Sequence, residues 1–307
     1  PANPHGLLLV RWDGAGPLEL SAPLEAWRLQ SRLDTLEHFA AAAAVALVQR
    51  HSGPVAFAVQ VHDEEPAWPC FRFDAPLHPR AEHNDGPLIP DPYALGSWGY
   101  AELRRDLAEQ GLPPWCERLP LAFWRGSSTG LKALTPARIW QLKRHQLCEL
   151  SRLYPQWLDA RFTAVVQARD AQAQAQLNAA LQQRGRLAPR CAPWDAALHR
   201  WLIEIDGNVN SWGLLWKLFS GSCLLWVASE RRQWYHHRLV AWQHYVPVAA
   251  DLSNLIDRLA WCRAHPAACA AIADAARRLA GQVVADLELD MLAAVHTYPL
   301  TAAWPIR

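Results

Sequence analysis

The chain has 307 residues, 51% hydrophobic and 19% charged, which is enough for one large core or two modest domains. Its 30 Lys and Arg against 29 Asp and Glu leave a net charge of +1. That balance argues against a protein whose main task is to coat nucleic acid, and the apolar fraction excludes disorder. Tryptophan is abundant, 17 against 6 Tyr and 7 Phe. Its large apolar ring with one N–H suits sugar-stacking surfaces as well as cores, and the core is the commoner use.

In chain order, a short apolar stretch after Gly6 is broken by Arg11 and Asp13, so no secretory signal is expected. The longest apolar run, Phe39 to Val48, is about half a membrane span and predicts a buried helix. The 7 cysteines, Cys70, Cys116, Cys148, Cys191, Cys223, Cys262 and Cys269, are odd in number and lack a C-x-x-C pair. They read as reduced, mostly buried thiols of a soluble cytoplasmic protein, with peripheral membrane contact left open. Pro54 to Val61 (PVAFAVQV) predicts a buried strand. Asp63 to Pro92 is Pro-rich and predicts extended loops, followed by a helix over Tyr100 to Gln110. Gly111 and Pro113-Pro114 close that helix and place a domain boundary near residue 118.

Beyond the boundary, Leu121 to Ser127 (LAFWRGS) reads as a strand running into a turn. Helices are expected over Pro136 to Tyr154 and over Thr163 to Gln183, the second stopped by Gly185. A strand at Trp201 to Ile205, a short helix at Ser211 to Phe219, and strands at Cys223 to Val227 and Tyr245 to Val248 follow. Helices over Leu252 to Ala264 and Ala267 to Val284 complete the pattern. Strands separated by helices predict an α/β fold with a parallel sheet covered on both faces. The expected organisation is two α/β halves facing a cleft, residues 1–118 and 119–285. Residues 286–307 form a tail or helix that packs back on the first half.

Ligands in open α/β sheets bind beyond the carboxyl ends of the strands. Three strand-end turns therefore stand out. Trp124 to Gly130 (WRGSSTG) offers a guanidinium at Arg125, close backbone approach at Gly126, and a hydroxyl at Ser127. A plain turn explains it equally well. Ile205 to Leu218 runs through Asp206, Gly207, Asn208, Val209, Asn210 and Ser211 to Lys217. Ser211 is placed to cap a helix whose N-terminus suits a diphosphate, although an ordinary Asp-Gly turn and cap is as good a reading. His62 to Pro66 (HDEEP) puts a carboxylate at a strand end, where a general base could sit; such loop acids are more often solvated charges. Glu204 and Asp206 alternate on one strand face and could imitate a metal-holding acidic pair, but a buried Glu is more often paired with a cation. His236-His237 has no third ligand nearby, so no metal site is expected.

Jointly, these segments resemble glycosyltransferase family 90, the CAP10/LpsA-like group with bacterial lipopolysaccharide-core and animal protein O-glucosyltransferase branches. The resemblance rests on FAVQVHDEEP (Phe57 to Pro66), FWRGSSTG (Phe123 to Gly130) and LKRHQLCELSRLYPQWLDARF (Leu142 to Phe162). It continues through RWLIEIDGNVNSWGLLWKLFSGSCLL (Arg200 to Leu225) and QWYHHRLVAWQHYVPVAADLSNL (Gln233 to Leu255), covering residues 55 to 285. It implies a GT-B architecture of two Rossmann-like domains, with a UDP-sugar held mainly by the C-terminal one. It further implies inversion at the anomeric carbon, no metal and no other cofactor, with Asp63 as catalytic base. The donor contacts it implies are Arg125, Gly126 and Ser127 and the turn Asp206 to Ser211. Animal members carry an Arg where this chain has Gly213, so Lys217 or Arg144 is expected to supply that charge. Tyr235, His244 and Tyr245 are expected to line the cleft; for the last two, fixing a strand end is an equal alternative. The acceptor expected is a glycan such as lipopolysaccharide core, with a protein Ser or Thr hydroxyl as the alternative; a non-catalytic nucleotide-sugar- or glycan-binding protein is the reading from a different class, against which Asp63 discriminates.

Overall fold

A computed structural model describes residues 6–23, 29–63, 66, 69–78 and 86–300. In chain order the elements are β1 (Leu7–Trp12), β2 (Glu19–Ser21), α1 (Gln30–His51), β3 (Val55–Gln60), β4 (Ala75–Pro76), α2 (Pro92–Gly96) and α3 (Ala101–Gln110). Then come β5 (Leu119–Ser127), α4 (Lys143–Leu153), β6 (Leu158–Ala164), α5 (Ala171–Gln183), α6 (Pro193–Ala197), β7 (His199–Glu204) and α7 (Leu214–Phe219). The chain continues through β8 (Cys223–Val227), β9 (Arg231–Arg232), β10 (Val246–Val248), α8 (Leu255–Ala264), α9 (Pro266–Ala285) and α10 (Leu287–Thr297). Two compact units result. The first comprises Pro1–Tyr100, Glu230–His236 and Val284–Arg307; the second comprises Ala101–Ser229 and His237–Val283. The chain thus first passes between units after Tyr100, eighteen residues before the boundary near residue 118 suggested by sequence.

The second unit holds the expected parallel sheet, in the order β10-β8-β7-β5-β6. Its strands are apolar on both faces, as β7 illustrates with Trp201, Leu202 and Ile203 all buried. β6 alternates instead: Leu158, Ala160 and Phe162 are buried, while Asp159, Arg161 and Thr163 are not. The sequence expectation of one helix over Thr163 to Gln183 therefore divides into the end of β6 and a helix starting at Ala171. Asp170 fixes that start by accepting a hydrogen bond from the Ala173 N–H at 2.8 Å. The helix expected from Pro136 begins only at Lys143, and the one expected from Ser211 begins at Leu214.

In the first unit the named strands pair antiparallel, in the order β2-β1-β3. Short parallel bridges, Val59 to Phe71 and Arg72 to Leu88, extend that pairing. The expected Rossmann-like pattern of alternating strands and helices is thus found in the second unit, whereas the first carries a small mixed sheet packed by one long helix. α1 buries Leu33, Leu36, Phe39, Ala40, Ala43, Ala44 and Leu47 along one face, as its apolar run predicts. Arg50 in its last turn donates to the Val295 carbonyl at 2.9 Å at the end of α10. Tyr298 follows α10 and stacks on Phe71 with centroids 4.4 Å apart. Its hydroxyl donates to the Pro69 carbonyl and accepts from the Ala58 N–H. Among the described residues no helix is long and apolar enough to cross a membrane.

Candidate functional site

Because the five strands of the second unit run the same way, the turns after β5, β7, β8 and β10 all leave from one edge of its sheet. The first two are tied together by Arg144, in the first turn of α4. Its guanidinium donates to the Ser127 carbonyl (3.0 Å), the Thr129 hydroxyl (2.5 Å), the Ile205 carbonyl (3.1 Å) and the Asp206 carbonyl (2.9 Å). Asn208 adds a bridge, its Oδ1 accepting from the Gly130 N–H at 3.0 Å. The glycines follow from this closeness. A Cβ on Gly207 would fall 2.5 Å from Thr129 Oγ1, and Gly130, at φ +120°, faces the Gly207 carbonyl. Gly126 answers a different neighbour, since its Cβ would lie 2.5 Å from the Trp124 ring.

The structure brings Ser127, Arg144 and the turn Asp206 to Asn208 together, but it gives three expected cations other work. Burial lowers the pKa of Arg144, with Glu204 and Asp206 opposing the shift, and its N–H groups go to protein oxygens. Lys217 pairs with the buried Glu204 and donates to the Ile203 carbonyl at 3.2 Å. That pair also corrects the metal alternative, because Glu204 already has its cation. Arg125 makes a two-pronged pair with Asp159 of the neighbouring strand, at 2.7 and 3.2 Å, and lies over the Phe123 ring. Trp124 is buried core, the commoner use of a tryptophan.

Ser211 does not cap a helix. α7 has Gly213 at its cap position without a side-chain hydrogen bond, and runs for only 6 residues. Val209 and Asn210 are buried in the turn. His244 and Tyr245 lead into β10, whose Val246 is in register with Leu225 and Ile203 in the middle of the sheet, and of their two sequence readings their contacts fit the fixing of a strand end. His244 Nδ1 accepts from the Val240 N–H at 3.0 Å, tightening the entry to that strand, and burial lowers its pKa. Tyr245 packs edge-on against Trp226, and burial raises its pKa. Tyr235 belongs to the first unit and is fully buried between the rings of Trp234 and His236, so it lines no surface there.

The same edge holds residues that sequence reasoning missed. Ser229, after β8, donates to Asp206 Oδ2 at 2.6 Å. Burial nevertheless pushes the Asp206 carboxyl up to about 6, with Glu204 adding to the rise. Asp251, after β10, is held below the usual carboxylate range by the Ser253 hydroxyl and N–H. Lys143 is exposed, and its charge favours the ionised form of both Asp206 and Asp251. No described carboxylate lies within ion-pair distance of it, which leaves it available to an anion at this edge. The D-x-S-N sequence before α8 was a readable turn-and-cap signal for Asp251; nothing local marked Lys143.

In the first unit, Asp63 follows β3 with its side chain 31% exposed. Arg32 of α1 holds it, donating to Oδ1 at 3.1 Å and to the Val61 carbonyl at 2.6 Å. Arg32 in turn lies 5.7 Å from the Phe73 ring centroid. The strand-end carboxylate is thus oriented by one charged partner while one oxygen remains available. Glu64 and Glu65 lie outside the described residues.

The second unit is thus a parallel α/β sheet whose carboxyl-edge turns after β5 and β7 are fixed to each other. Residues 93–297 match the description "Glycosyl transferase family 90", and the chain belongs to that family. Human Protein O-glucosyltransferase 1 is 26% identical over 218 residues, which cover 66% of this chain and 48% of that protein. Uncharacterized protein 035R of Invertebrate iridescent virus 3 is 31% identical over 175 residues, 55% of this chain and 15% of the viral protein. The chain therefore spans about half or less of these relatives. Among solved structures, Anabaena Alr3699/HepE in complex with UDP-glucose is similar with a TM-score of 0.41 at 11% identity, covering 65% of this chain and 52% of that one.

Proposed function

We propose that the chain is an inverting, UDP-sugar-dependent glycosyltransferase of GT-B type. It transfers a hexose or xylose to a hydroxyl of a glycan acceptor such as lipopolysaccharide core, in the cytoplasm or at the inner face of its membrane. The observation that carries this reading is the pair of turns after β5 and β7, locked by Arg144 and Asn208. A pyrophosphate there meets the ammonium of Lys143 beside a preorganised pair of turns. Arg125, Arg144 and Lys217 act from behind, by holding those turns in shape.

Asp63 then serves as the base. Its carboxylate takes the proton of the acceptor hydroxyl as the hydroxyl oxygen bonds to the anomeric carbon. The bond from that carbon to the β-phosphate oxygen breaks in the same step, and its electron pair leaves with UDP. Attack from the face opposite the leaving group inverts the centre. The growing charge on UDP is stabilised by Lys143, so no metal is required.

Asp63→Asn should reduce transfer by about 100-fold or more, while UDP affinity changes only a few-fold. Transfer at the parental rate defeats the base assignment. Loss of transfer in chelator, restored by manganese, defeats the metal-independent step. A panel of UDP-glucose, UDP-galactose, UDP-xylose and UDP-GlcNAc, scored for binding and slow hydrolysis, identifies the donor. The likeness to Protein O-glucosyltransferase 1 favours a second acceptor reading, a Ser or Thr hydroxyl of a protein. Incubation with a folded acceptor domain beside a core oligosaccharide separates the two.

A further inference from the structure

At the amino edge of the same five-stranded sheet, a cavity of about 640 Å³ opens beside Arg118, just before β5, and Ser220 and Gly221, just before β8. The nine residues of β5 separate this edge from the Ser127 turn, a distance of about 30 Å at the usual strand rise. The volume falls in the range that holds a small organic ligand. The charged side chains lining it are Arg104, Arg118, Arg277 and Asp274, a surplus of two positive charges.

Arg277 pairs with Asp274 at 3.6 Å on the exposed rim, whereas Arg104 and Arg118 have no described carboxylate within ion-pair distance. Arg118 donates to the carbonyls of Pro113 (3.1 Å) and Ser220 (3.0 Å) and to Ser222 Oγ (3.3 Å). Burial lowers its pKa, and the charge of Arg277 lowers it further. Arg104 lies 5.6 Å from the Phe219 ring centroid, and its buried Nε has no protein acceptor; the indole N–H of Trp115, another wall residue, has none either. Buried donors without acceptors are costly and call for an explanation. A second observation concerns volume. Gly281, exposed in the last turns of α9, lines the mouth of the cavity, and a Cβ there would meet nothing within 4 Å.

We propose that this cavity is a second binding site, separate from the carboxyl-edge turns, that takes a phosphate monoester carried on a compact apolar body. A phosphate monoester has a charge close to −2 at neutral pH, which matches the surplus, and its oxygens accept from several guanidinium N–H groups at once. Leu107, Leu112, Pro113 and Phe219 supply the apolar wall for the rest of the ligand.

The probe is phenyl phosphate, titrated calorimetrically into the full chain in phosphate-free buffer, with inorganic phosphate in parallel. One equivalent of phenyl phosphate binds, about tenfold more tightly than inorganic phosphate because of the apolar wall. Arg104→Gln weakens it about tenfold. Gly281→Leu closes the mouth of the cavity, keeps or raises the thermal midpoint, and abolishes binding, while UDP affinity stays at the parental level in both variants. Flotation with phosphatidic acid in phosphatidylcholine vesicles identifies the source. Vesicle binding that Gly281→Leu removes makes it a lipid headgroup, and phenyl phosphate binding without flotation makes it a soluble ester. Phenyl phosphate binding that survives Gly281→Leu, equal affinity for inorganic phosphate, or no binding of either probe by the parent overturns the proposal.

Discussion

The two edges of the second unit's sheet use positive charge in opposite ways. At the carboxyl edge, Arg144, Arg125 and Lys217 are each committed to protein: four oxygens for the first, Asp159 for the second, Glu204 for the third. At the amino edge, Arg104 and Arg118 line an open cavity and have no carboxylate partner among the described residues. A cation in a motif is therefore not by itself a ligand contact. Where its N–H groups are all committed it shapes the backbone, and where a buried donor is left over, as at Arg104 Nε, it is our proposed contact.

The largest expected effect on that contrast comes from Arg144→Ala. Removing a buried cation that satisfies several carbonyls should cost about 3–5 kcal/mol of stability in urea unfolding, with UDP binding falling alongside it. A variant of parental stability that merely binds UDP more weakly would make Arg144 a ligand contact and erase the distinction. Lys143→Ala tests the other half. UDP affinity should drop about tenfold, with the unfolding midpoint shifted by less than about 0.5 kcal/mol. Unchanged affinity would leave the carboxyl edge without a cation for its ligand.

The smallest effect concerns Asp206, whose folded pKa of about 6 lies above its ordinary value of 3.8. The folded state thus holds this proton more tightly than the unfolded chain does. The associated stability is fully present below about pH 4 and is lost as pH rises through about 6. Asp206→Asn should consequently be the more stable protein at pH 8, by on the order of 1 kcal/mol, and should lose this component of pH dependence between pH 4 and 7. A parental pH profile in the variant would assign the dependence to another group, of which Asp91, pushed up to about 7 by burial, is the first to examine.

Much of the fold was readable because its signals are local. Cys223–Val227 is one continuous apolar run, and α1 follows an apolar stripe. β6 went unread although Leu158, Ala160 and Phe162 alternate with polar residues, because the Ala- and Gln-rich sequence after it carried the helical pattern backward. Asp170, a cap residue in plain view, marked the true start of that helix. Of the site, the turns themselves were legible from Gly and hydroxyl residues after strands. The partners were not: Arg144 reaches the Asp206 carbonyl across 62 positions, and Arg125 reaches Asp159 across 34. Such pairings depend on which strands become neighbours, and this information is absent from any short window. The same limit concealed Lys143, whose significance lies in two carboxylates from distant turns.

Tyr298 carries a consequence for how the molecule is made. Its hydroxyl meets the Ala58 N–H across 240 positions and its ring completes the cluster of Phe57 and Phe71. On the ribosome the strand bearing Phe57 emerges early, yet the ring that covers it is among the last translated parts of the described chain. All of the second unit, Ala101–Ser229 and His237–Val283, is translated before Tyr298 arrives to cover that ring cluster. The first unit, closed by contacts across 240 positions, is therefore expected to be the slower of the two to fold.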